Sequence, residues 1–270
     1  TLTFTGLVGS ETLGQTVGST FDNKNVGTGK TVTVNSITLS DGSGLAANYS
    51  ISAGQTTTAN ITAKSLTVSG ITASNKMYDG NTVATLSSSN VTYSGIVSGD
   101  SFAGSFSGSF SDKNIGTGKT VTITSSYSGS DVSNYTVTDQ SSTTANITSR
   151  DLEVTGITVF GLTVNNKEYD GTVTAPLKTD NISYSGLVEG DDFTGSYSGV
   201  FADANVGNGK AVTITSTYSG ADAGNYTVTD QSTTTGNIVP KVLTATASAS
   251  NKTYDGGTTA STTLTFTGLV

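Results

Sequence analysis

The sequence predicts an all-β protein made of tandem antiparallel β-sandwich domains. Short runs rich in Thr, Val, Ile and Tyr alternate between apolar and polar residues and end at Gly, Ser or Asp. Such alternation is typical of strands with one buried face. No run has the i, i+3, i+4 apolar spacing of a helix. Only 33% of the 270 residues are hydrophobic, so several small cores are expected rather than one large core.

Four motifs recur in the same order and divide the chain into copies. N-K-x-Y-D-G has its Tyr at 78, 169 and 254, N-[VI]-G-x-G-K starts at 25, 114 and 205, N-Y-[ST] has its Tyr at 49, 135 and 226, and T-[AG]-N-I has its Asn at 60, 146 and 237. Ordered motifs at a constant period indicate repeats of one domain. We predict a second copy at 64–149, a third copy at 150–240, and a split copy whose closing part is 1–63 and whose opening part is 241–270. Residues 1–63 are called the first copy below, and 241–270 the C-terminal segment.

The two ends carry the same octapeptide. TLTFTGLV occupies 1–8 and 263–270, whereas the second and third copies have NVTYSGIV (90–97) and NISYSGLV (181–188). The identity predicts a super-repeat of 262 residues (263 − 1) in a longer tandem array. The expected partners are therefore further copies of the chain, joined covalently or arranged head to tail as filament neighbours by strand exchange.

The second copy illustrates the predicted strands. SLTVSGITA, TVATL and VTYSGIV read as three short strands, and NKMYDG between the first two reads as a turn. FAGSFSGSF places Phe and Gly alternately on one face, so that rings can cover glycines. KTVTITSSY, NYTVT and TTANIT complete about seven strands.

The YDG triplets are predicted to be structural. Their Asp-Gly pair suits a turn that needs a positive φ, and the Tyr is expected at the core edge. The preceding Lys76 is expected to be solvated or paired with an acid. The predicted positions are Tyr78, Asp79 and Gly80; Tyr169, Asp170 and Gly171; Tyr254, Asp255 and Gly256.

A second signal concerns Tyr135 and Tyr226. Each opens a strand and follows an Asp by four residues, at Asp131 and Asp222. This spacing is similar to the tyrosine corner of immunoglobulin-like sandwiches, in which the hydroxyl bonds to upstream backbone. We therefore expect immunoglobulin-like domains, with a weaker corner in the first copy because Leu45 replaces the Asp.

The third copy carries an insertion. Leu66 and Tyr78 lie 12 residues apart, whereas Leu152 and Tyr169 lie 17 apart. The five added residues predict a longer or kinked first strand with Phe160 at least partly buried.

The motifs also resemble a known family. SNKMYDGNTVATL, FSDKNIGTGKTVTI, GADAGNYTVT and TTANIT together look like the YDG-domain repeat. This resemblance covers nearly the whole chain and implies an extracellular, β-rich stalk or fibre module. Such repeats occur in large secreted and surface-anchored bacterial proteins, including filamentous-haemagglutinin-like adhesins. The resemblance implies no catalytic residues and no known ligand.

Composition argues against several functions. The chain has no His and no Cys, so it lacks the commonest general base and any thiolate nucleophile or metal ligand. Its net charge of -8 disfavours nucleic-acid binding. No apolar run approaches a membrane span. We expect no enzyme, no catalytic or cofactor-binding residue and no membrane insertion of this segment.

Calcium is the alternative for the acidic loops. Asp41, Asp131 and Asp222 are the calcium candidates, with Asp100, Asp191 and Asp192 in a second set of loops. Oxygen-rich loops can bind calcium, but no D-x-D-x-D-G motif is present, and a role in turns is favoured. A further alternative is a Lys–Asn crosslink between Lys76, Lys167 or Lys252 and Asn60, Asn146 or Asn237.

These observations favour a structural function. We expect a spacer and load-bearing repeat of a giant fibre or adhesin stalk at the bacterial cell surface. The alternative is a repeat that itself binds glycan, ice or another surface, for which Thr residues would have to align across strands.

Overall fold

A computed structural model describes residues 3–159 and 166–270. About 54% of the chain is strand, which confirms the all-β prediction. The helices of the described residues are three 3-10 turns, Ala46–Asn48, Val132–Asn134 and Ala223–Asn225. None of them has the length and hydropathy to cross a membrane.

The strands are short, and several are pairs of residues. Up to residue 148 they are β1 (Leu13–Phe21), β2 (Gly27–Asp41), β3 (Thr56–Ile61), β4 (Lys64–Ser69), β5 (Thr72–Ala73), β6 (Lys76–Met77), β7 (Val83–Ala84), β8 (Leu86–Ser87), β9 (Thr92–Ser94), β10 (Ala103–Phe110), β11 (Gly116–Ser128), β12 (Tyr135–Thr138) and β13 (Ser142–Thr148). Beyond it they are β14 (Arg150–Thr155), β15 (Thr158–Val159), β16 (Asn166–Glu168), β17 (Thr174–Ala175), β18 (Leu177–Lys178), β19 (Ser183–Ser185), β20 (Thr194–Phe201), β21 (Gly207–Ser219), β22 (Tyr226–Thr229), β23 (Thr233–Val239), β24 (Thr244–Ala249) and β25 (Thr262–Thr267).

The chain divides into two compact units. The first unit comprises residues 1–74, 83–109 and 120–144, and the second comprises 75–82, 110–119 and 145–270. The first unit holds the sheets β1-β2-β3, β12-β4-β9 and β5-β8. The second unit holds the third copy and the C-terminal hairpin β24-β25.

The third copy shows the architecture of one complete repeat. Its larger sheet has the order β16-β23-β21-β20-β17, and its smaller sheets are β19-β14-β22 and β15-β18. The strands β20, β21 and β23 pair antiparallel. However, β16 runs parallel to β23, and β22 runs parallel to β14.

The prediction of wholly antiparallel domains is therefore wrong. In the first unit, β12 likewise runs parallel to β4. Alternation of apolar and polar residues determines which face of a strand is buried, but it carries no information on the direction of the neighbouring strand. The first strand of each complete copy pairs with a strand from late in the same copy, and only the tertiary fold decides that direction.

The cores follow the predicted alternation. In the third copy, Ala175, Phe201, Val212 and Ile238 form a buried cluster against Tyr169 and Leu177. In the first unit, the core is formed by Leu66, Val68, Ile71, Ile123 and Tyr135. Gly104 confirms that rings cover glycines, since an added Cβ would lie 2.6 Å from the Phe106 ring. The expected insertion, including Phe160, falls largely outside the described residues.

Two of the repeated motifs bind each other. In N-[VI]-G-x-G-K, the second glycine has a φ near +60° at Gly29, Gly118 and Gly209, where only glycine is unstrained. The amide of that glycine donates to the Asn of T-[AG]-N-I over 2.8, 2.8 and 2.7 Å, at Asn60, Asn146 and Asn237. These Asn side chains thus close a β-bulge, whereas the Lys residues of the crosslink hypothesis bond to the Asp of their own YDG turn.

A Gln side chain closes the end of the first strand in each complete copy. Gln140 accepts from the amide of Ile71 at 2.9 Å and donates to its carbonyl at 2.7 Å. Gln231 makes the same two bonds to Ile157. Both isoleucines are buried, so backbone groups left without this partner would also be left without water.

We expect Gln140→Ala to destabilise the first unit by about 1–3 kcal/mol, because it leaves a buried amide and carbonyl without partners. Hydrogen exchange at Ile71 measures the effect. Gln55→Ala is the matched control, since Gln55 is exposed and its side chain donates to the nearby Ser52 carbonyl. Equal exchange at Ile71 in the two variants would contradict this role.

Candidate functional site: two ion clusters between successive copies

The second-copy YDG motif forms a turn beside a buried tyrosine. Tyr78 is 0% exposed, and Gly80 has a φ of +78°. Asp79 accepts from the amide of Asn81 at 3.2 Å and pairs with Lys76 at 2.6 Å. The same turn recurs at Lys167, Tyr169, Asp170 and Gly171 and at Lys252, Tyr254, Asp255 and Gly256. The Lys167 ammonium is the main cause that lowers the pKa of Asp170 to about 2.

The first cluster joins the first copy to the second copy and lies within the first unit. Lys24 Nζ lies 2.8 Å from Asp100 Oδ1 and 2.7 Å from Asp131 Oδ1. Next to it, Asn134 Oδ1 accepts from the Val26 amide at 2.9 Å. Asn134 Nδ2 donates to Asn25 Oδ1 at 3.2 Å. One loop of the first copy is thus held by two loops of the second.

The second cluster repeats this arrangement between the second and third copies, within the second unit. Lys113 Nζ lies 3.0 Å from Asp191 Oδ1 and 2.8 Å from Asp222 Oδ1. Asn225 Oδ1 accepts from the Ile115 amide at 3.0 Å, and its Nδ2 donates to the Asn114 side chain at 3.2 Å. The equivalence of each contact shows that the arrangement belongs to the repeat.

The predicted tyrosine corners hold the acidic loops. Tyr135 OH accepts from the Val97 amide at 2.9 Å and donates to Asp100 Oδ2 at 2.6 Å. Tyr226 does the same with Val188 and Asp191, at 3.0 and 2.6 Å. The hydroxyl therefore bonds to upstream backbone, as expected. A lesser strength of the corner in the first copy stays a prediction, because Tyr49 there still accepts from Val8 and donates to Glu11.

The second cluster contains one more residue than the first. Tyr78 OH donates to Asp191 Oδ2 at 2.8 Å, and the Tyr78 ring meets the Tyr226 ring edge-on at 5.6 Å. Lys113 Nζ lies 5.8 Å from the centre of the Tyr78 ring. The side chain of Lys113 is accordingly 35% exposed, against 65% for Lys24 in the first cluster.

The charges of each cluster stabilise one another. Hydrogen bonds to Asp100 and Asp131 raise the pKa of Lys24, and the Lys24 ammonium in turn lowers the pKa of both carboxyls. In the second cluster, burial alone would raise the pKa of Asp191. Hydrogen bonds from Tyr226, Tyr78 and Lys113 outweigh burial, so the pKa lies below 3.8.

The other members of the second cluster shift in the same sense. Lys113 lowers the pKa of Asp222, and Asp222 and Asp191 raise the pKa of Lys113. Burial, followed by the Asp191 carboxylate, raises the pKa of Tyr226 to about 12. The Lys and Asp side chains are therefore fully charged at neutral pH.

The calcium candidates have different surroundings. Asp131 and Asp222 contact the lysines and also accept backbone amides from Ser101 and Asp192 at 2.9 and 3.0 Å. Asp41 belongs to neither cluster and accepts from the Ala46 amide at 2.7 Å. Within the described residues, no group of three or more His, Cys, Asp or Glu residues is arranged to hold a metal ion. In the structure, Asp131 and Asp222 each contact a lysine ammonium as their cation.

Family comparison agrees with the repeat structure. The YDG domain matches the chain three times, at residues 1–59, 62–145 and 153–235. The chain belongs to the YDG-domain family. No similar protein was found among curated proteins, and none among solved structures. The three YDG domains in one chain are tandem repeats, as the recurring motifs predicted.

The bridging lysines of the YDG domains were missed by sequence reasoning. Lys24 and Lys113 stand directly before the N-[VI]-G-x-G-K motif, but the third copy has Ala204 at this position. A search for residues shared by all three copies therefore passes over them. The two losses occur together: the third copy has Ala204 in place of the lysine, and the first copy has Leu45 in place of the second aspartate that the lysine would contact. This paired variation is the sequence signal that could have identified the lysines.

We expect acid to open both clusters. Because the folded-state pKa values of these carboxyls lie below 3.8, their stabilising contribution is complete above about pH 4. It is lost as the pH falls further through those folded-state values. The protection factors of the Val26 and Ile115 amides, which correct for the slowing of intrinsic exchange as the pH falls, should therefore decrease at low pH. The strand amide of Val34, which donates to the Gln55 carbonyl, is the control. Equal changes at all three amides would contradict the prediction.

Proposed function

We propose that this chain is a structural segment of an extracellular bacterial fibre or adhesin stalk, in which YDG domains act as load-bearing spacers. The observation that carries the proposal is the recurrence of one ion cluster between successive copies. A cluster that is present at both boundaries between the three copies, and not at one place in the chain, fits a function in joining successive domains. On this proposal, the mixed sheets of the second and third copies are a variant of the immunoglobulin-like sandwich.

Short connections support a role in fixing orientation. β3 ends at Ile61 and β4 begins at Lys64, while β13 ends at Thr148 and β14 begins at Arg150. Connections of one or two residues allow little independent rotation of the domains they join. Each cluster adds two ion pairs and two amide hydrogen bonds between the copies. In the first cluster, Lys24 and Asp100 line one depression together with Thr62 of the connection. These contacts restrict rotation about the short connection.

The composition suits a long spacer. The net charge of -8 keeps neighbouring fibres from associating, and the absence of Cys leaves the array without disulfides to be rearranged. The extracellular location rests on the family resemblance.

Surface labelling of the source cells tests this proposal. Antibodies raised against residues 64–240 should label extended structures on intact cells. After full denaturation, the labelled polypeptide should be much larger than 27.2 kDa. Its length on the cell should increase with the number of YDG domains. Labelling that requires permeabilised cells would contradict the proposal.

A second candidate function is binding through aligned threonines. In the C-terminal hairpin, Thr244 lies opposite Thr267 and Thr246 lies opposite Thr265. All four are exposed, as the glycan- or ice-binding alternative requires. In the third copy, however, Glu153 lies opposite Ser185, which interrupts the pattern. Glycan-array and ice-affinity measurements on the chain separate this function from the structural one.

A further inference from the structure

The sheet of the first copy lacks the strands that complete it elsewhere. Its order is β1-β2-β3, and these strands correspond to β20, β21 and β23 of the third copy. The third copy adds β16 beside β23 and β17 beside β20. Among the described residues, no strand pairs with the outer edge of β1 or β3. The sheet thus presents two open edges, where backbone groups can pair with another segment.

One face of this sheet is also uncovered. Phe21 is 39% exposed, whereas its counterpart Phe201 is 2% exposed beneath Tyr169, Ala175 and Leu177. An open depression of about 810 Å³ lies over the sheet and is lined by Val17, Phe21, Val32 and Val34 among others. An apolar surface of this kind on a β-sheet marks an interaction site.

The C-terminal segment carries the matching half. Tyr254 and Ala260 hold the places that Tyr169 and Ala175 hold in the third copy, and Tyr254 is 94% exposed. The hairpin β24–β25 pairs Thr244 with Thr267 and Ala245 with Phe266. The same register joins Thr67 to Ser94 and Val68 to Tyr93 at the start of the second copy. The segment therefore already has the conformation of the start of a YDG domain.

The C-terminal segment also lies against the third copy as a following domain does. An added Cβ on Gly171 would lie 2.8 Å from Val270 Cγ1. The equivalent contact between the second and third copies is 2.9 Å, from Gly80 to Val188 Cγ1. Tyr169, Val206, Leu243 and Leu269 line an open pocket at this place. The C-terminal segment therefore contacts the third copy in the same way as the third copy contacts the second.

We propose that residues 241–262 of a second copy of this chain, joined covalently or on a separate molecule, dock on residues 9–63 and complete one YDG domain. This inference rests on the proposed function. The occupant supplies strands for both open edges and the aromatic ring that covers Phe21. The octapeptide of the second copy at 263–270 takes the place of residues 3–8.

Docking also completes the first ion cluster. Tyr78 approaches Asp191 because it belongs to the domain that provides Lys113. Tyr254 of the docked segment stands in the same relation to Lys24, so its hydroxyl reaches Asp100. Among the described residues of the single chain, no tyrosine covers Lys24 in this way, which accounts for its greater exposure than that of Lys113.

The boundary formed by docking carries no lysine bridge. Ala204 replaces the lysine, and the copy that follows offers Glu11 and Leu45 in place of the two Asp residues. The Tyr169 hydroxyl can still donate to Glu11, as Tyr78 does to Asp191. We therefore expect this boundary to resist salt, whereas the two lysine-bridged boundaries weaken in salt.

The test compares the 270-residue chain with a tandem fusion in which residues 1–262 precede a complete second chain. In the fusion, hydrogen exchange at 251–260 of the leading copy should become slow. Sedimentation of the single chain should show concentration-dependent head-to-tail oligomers. Tyr254→Ala should weaken their association about tenfold or more, because it removes an interface aromatic anchor. Thr179→Ala, at an exposed position of the third copy outside both 9–63 and 241–262, should leave association unchanged.

The outcomes separate the two sources of the second copy. Protection in the fusion together with a monomeric single chain assigns docking to covalent arrays. Protection in both the fusion and a single chain that oligomerises shows that docking also occurs between separate molecules. Fast exchange at 251–260 in the fusion overturns the proposal, as does protection in a single chain that stays monomeric. Neither result alters the contacts of Lys24 and Lys113, so the proposed function is tested separately.

Discussion

Tyr78→Ala should destabilise the second unit by about 3–5 kcal/mol, the usual range for truncating a buried aromatic side chain. Tyr78 is 0% exposed, donates to Asp191 and packs against Tyr226. Its removal opens a cavity and also leaves a buried carboxylate with one hydrogen bond fewer. Hydrogen exchange across 186–226 measures the loss, because this region contains both partners.

Tyr254→Ala is the matched control for this substitution. It removes the same residue of the same motif, but Tyr254 is 94% exposed in the single chain. At a concentration at which the chain is monomeric, its effect on stability should be small. Tyr78→Phe should cost about 1–2 kcal/mol, because only the hydroxyl is lost. Similar losses for Tyr78→Ala and Tyr254→Ala would contradict the assigned role of Tyr78.

Lys113→Ala should destabilise the boundary between the second and third copies by about 1–3 kcal/mol. The substitution leaves the Asp191 and Asp222 carboxylates near each other without their cation. The lower end of the range allows for the 35% exposure of Lys113, since solvent screens part of the charge. Faster exchange at Ile115, whose amide belongs to the same cluster, is the measurement.

Lys24→Ala is the comparison for Lys113→Ala. Lys24 makes the same two ion pairs but is more exposed, so the loss should be smaller and should fall further in salt. Ala204→Lys should change little, because the copy that would follow has Leu45 where the second acid is needed. Equal losses for Lys24→Ala and Lys113→Ala would show that Tyr78 does not strengthen the second cluster.

Local sequence predicted the elements better than their pairing. The faces of β10 and β11 follow the alternation of Phe, Gly, Val and Ile, and Gly80 adopts the positive φ that its turn requires. The parallel pairing of β4 with β12 could not be predicted, because the two strands are separated by most of a copy. Pairing direction at that separation depends on the tertiary fold.

The candidate site was predicted only in its acidic half. Asp131, Asp222, Tyr135 and Tyr226 stood out because their spacing is the same in two copies. The cations that they meet come from the preceding copy, and no pattern within one copy contains that information. Comparing adjacent copies would have paired the loss of Lys at Ala204 with the loss of Asp at Leu45.

If the ion clusters fix the orientation of successive YDG domains, the distance between two neighbouring domains should vary little. Spin labels at Thr117 in β11 and Asn208 in β21, which are both exposed, measure this orientation through their distance distribution. The unaltered chain should give one narrow distance distribution. The distribution should broaden in Lys113→Ala and below about pH 4. It should stay narrow in the control Lys178→Ala, because Lys178 forms a solvent-exposed ion pair with Asp180. A broad distribution in the unaltered chain, or an equally narrow one in Lys113→Ala, would contradict the claim.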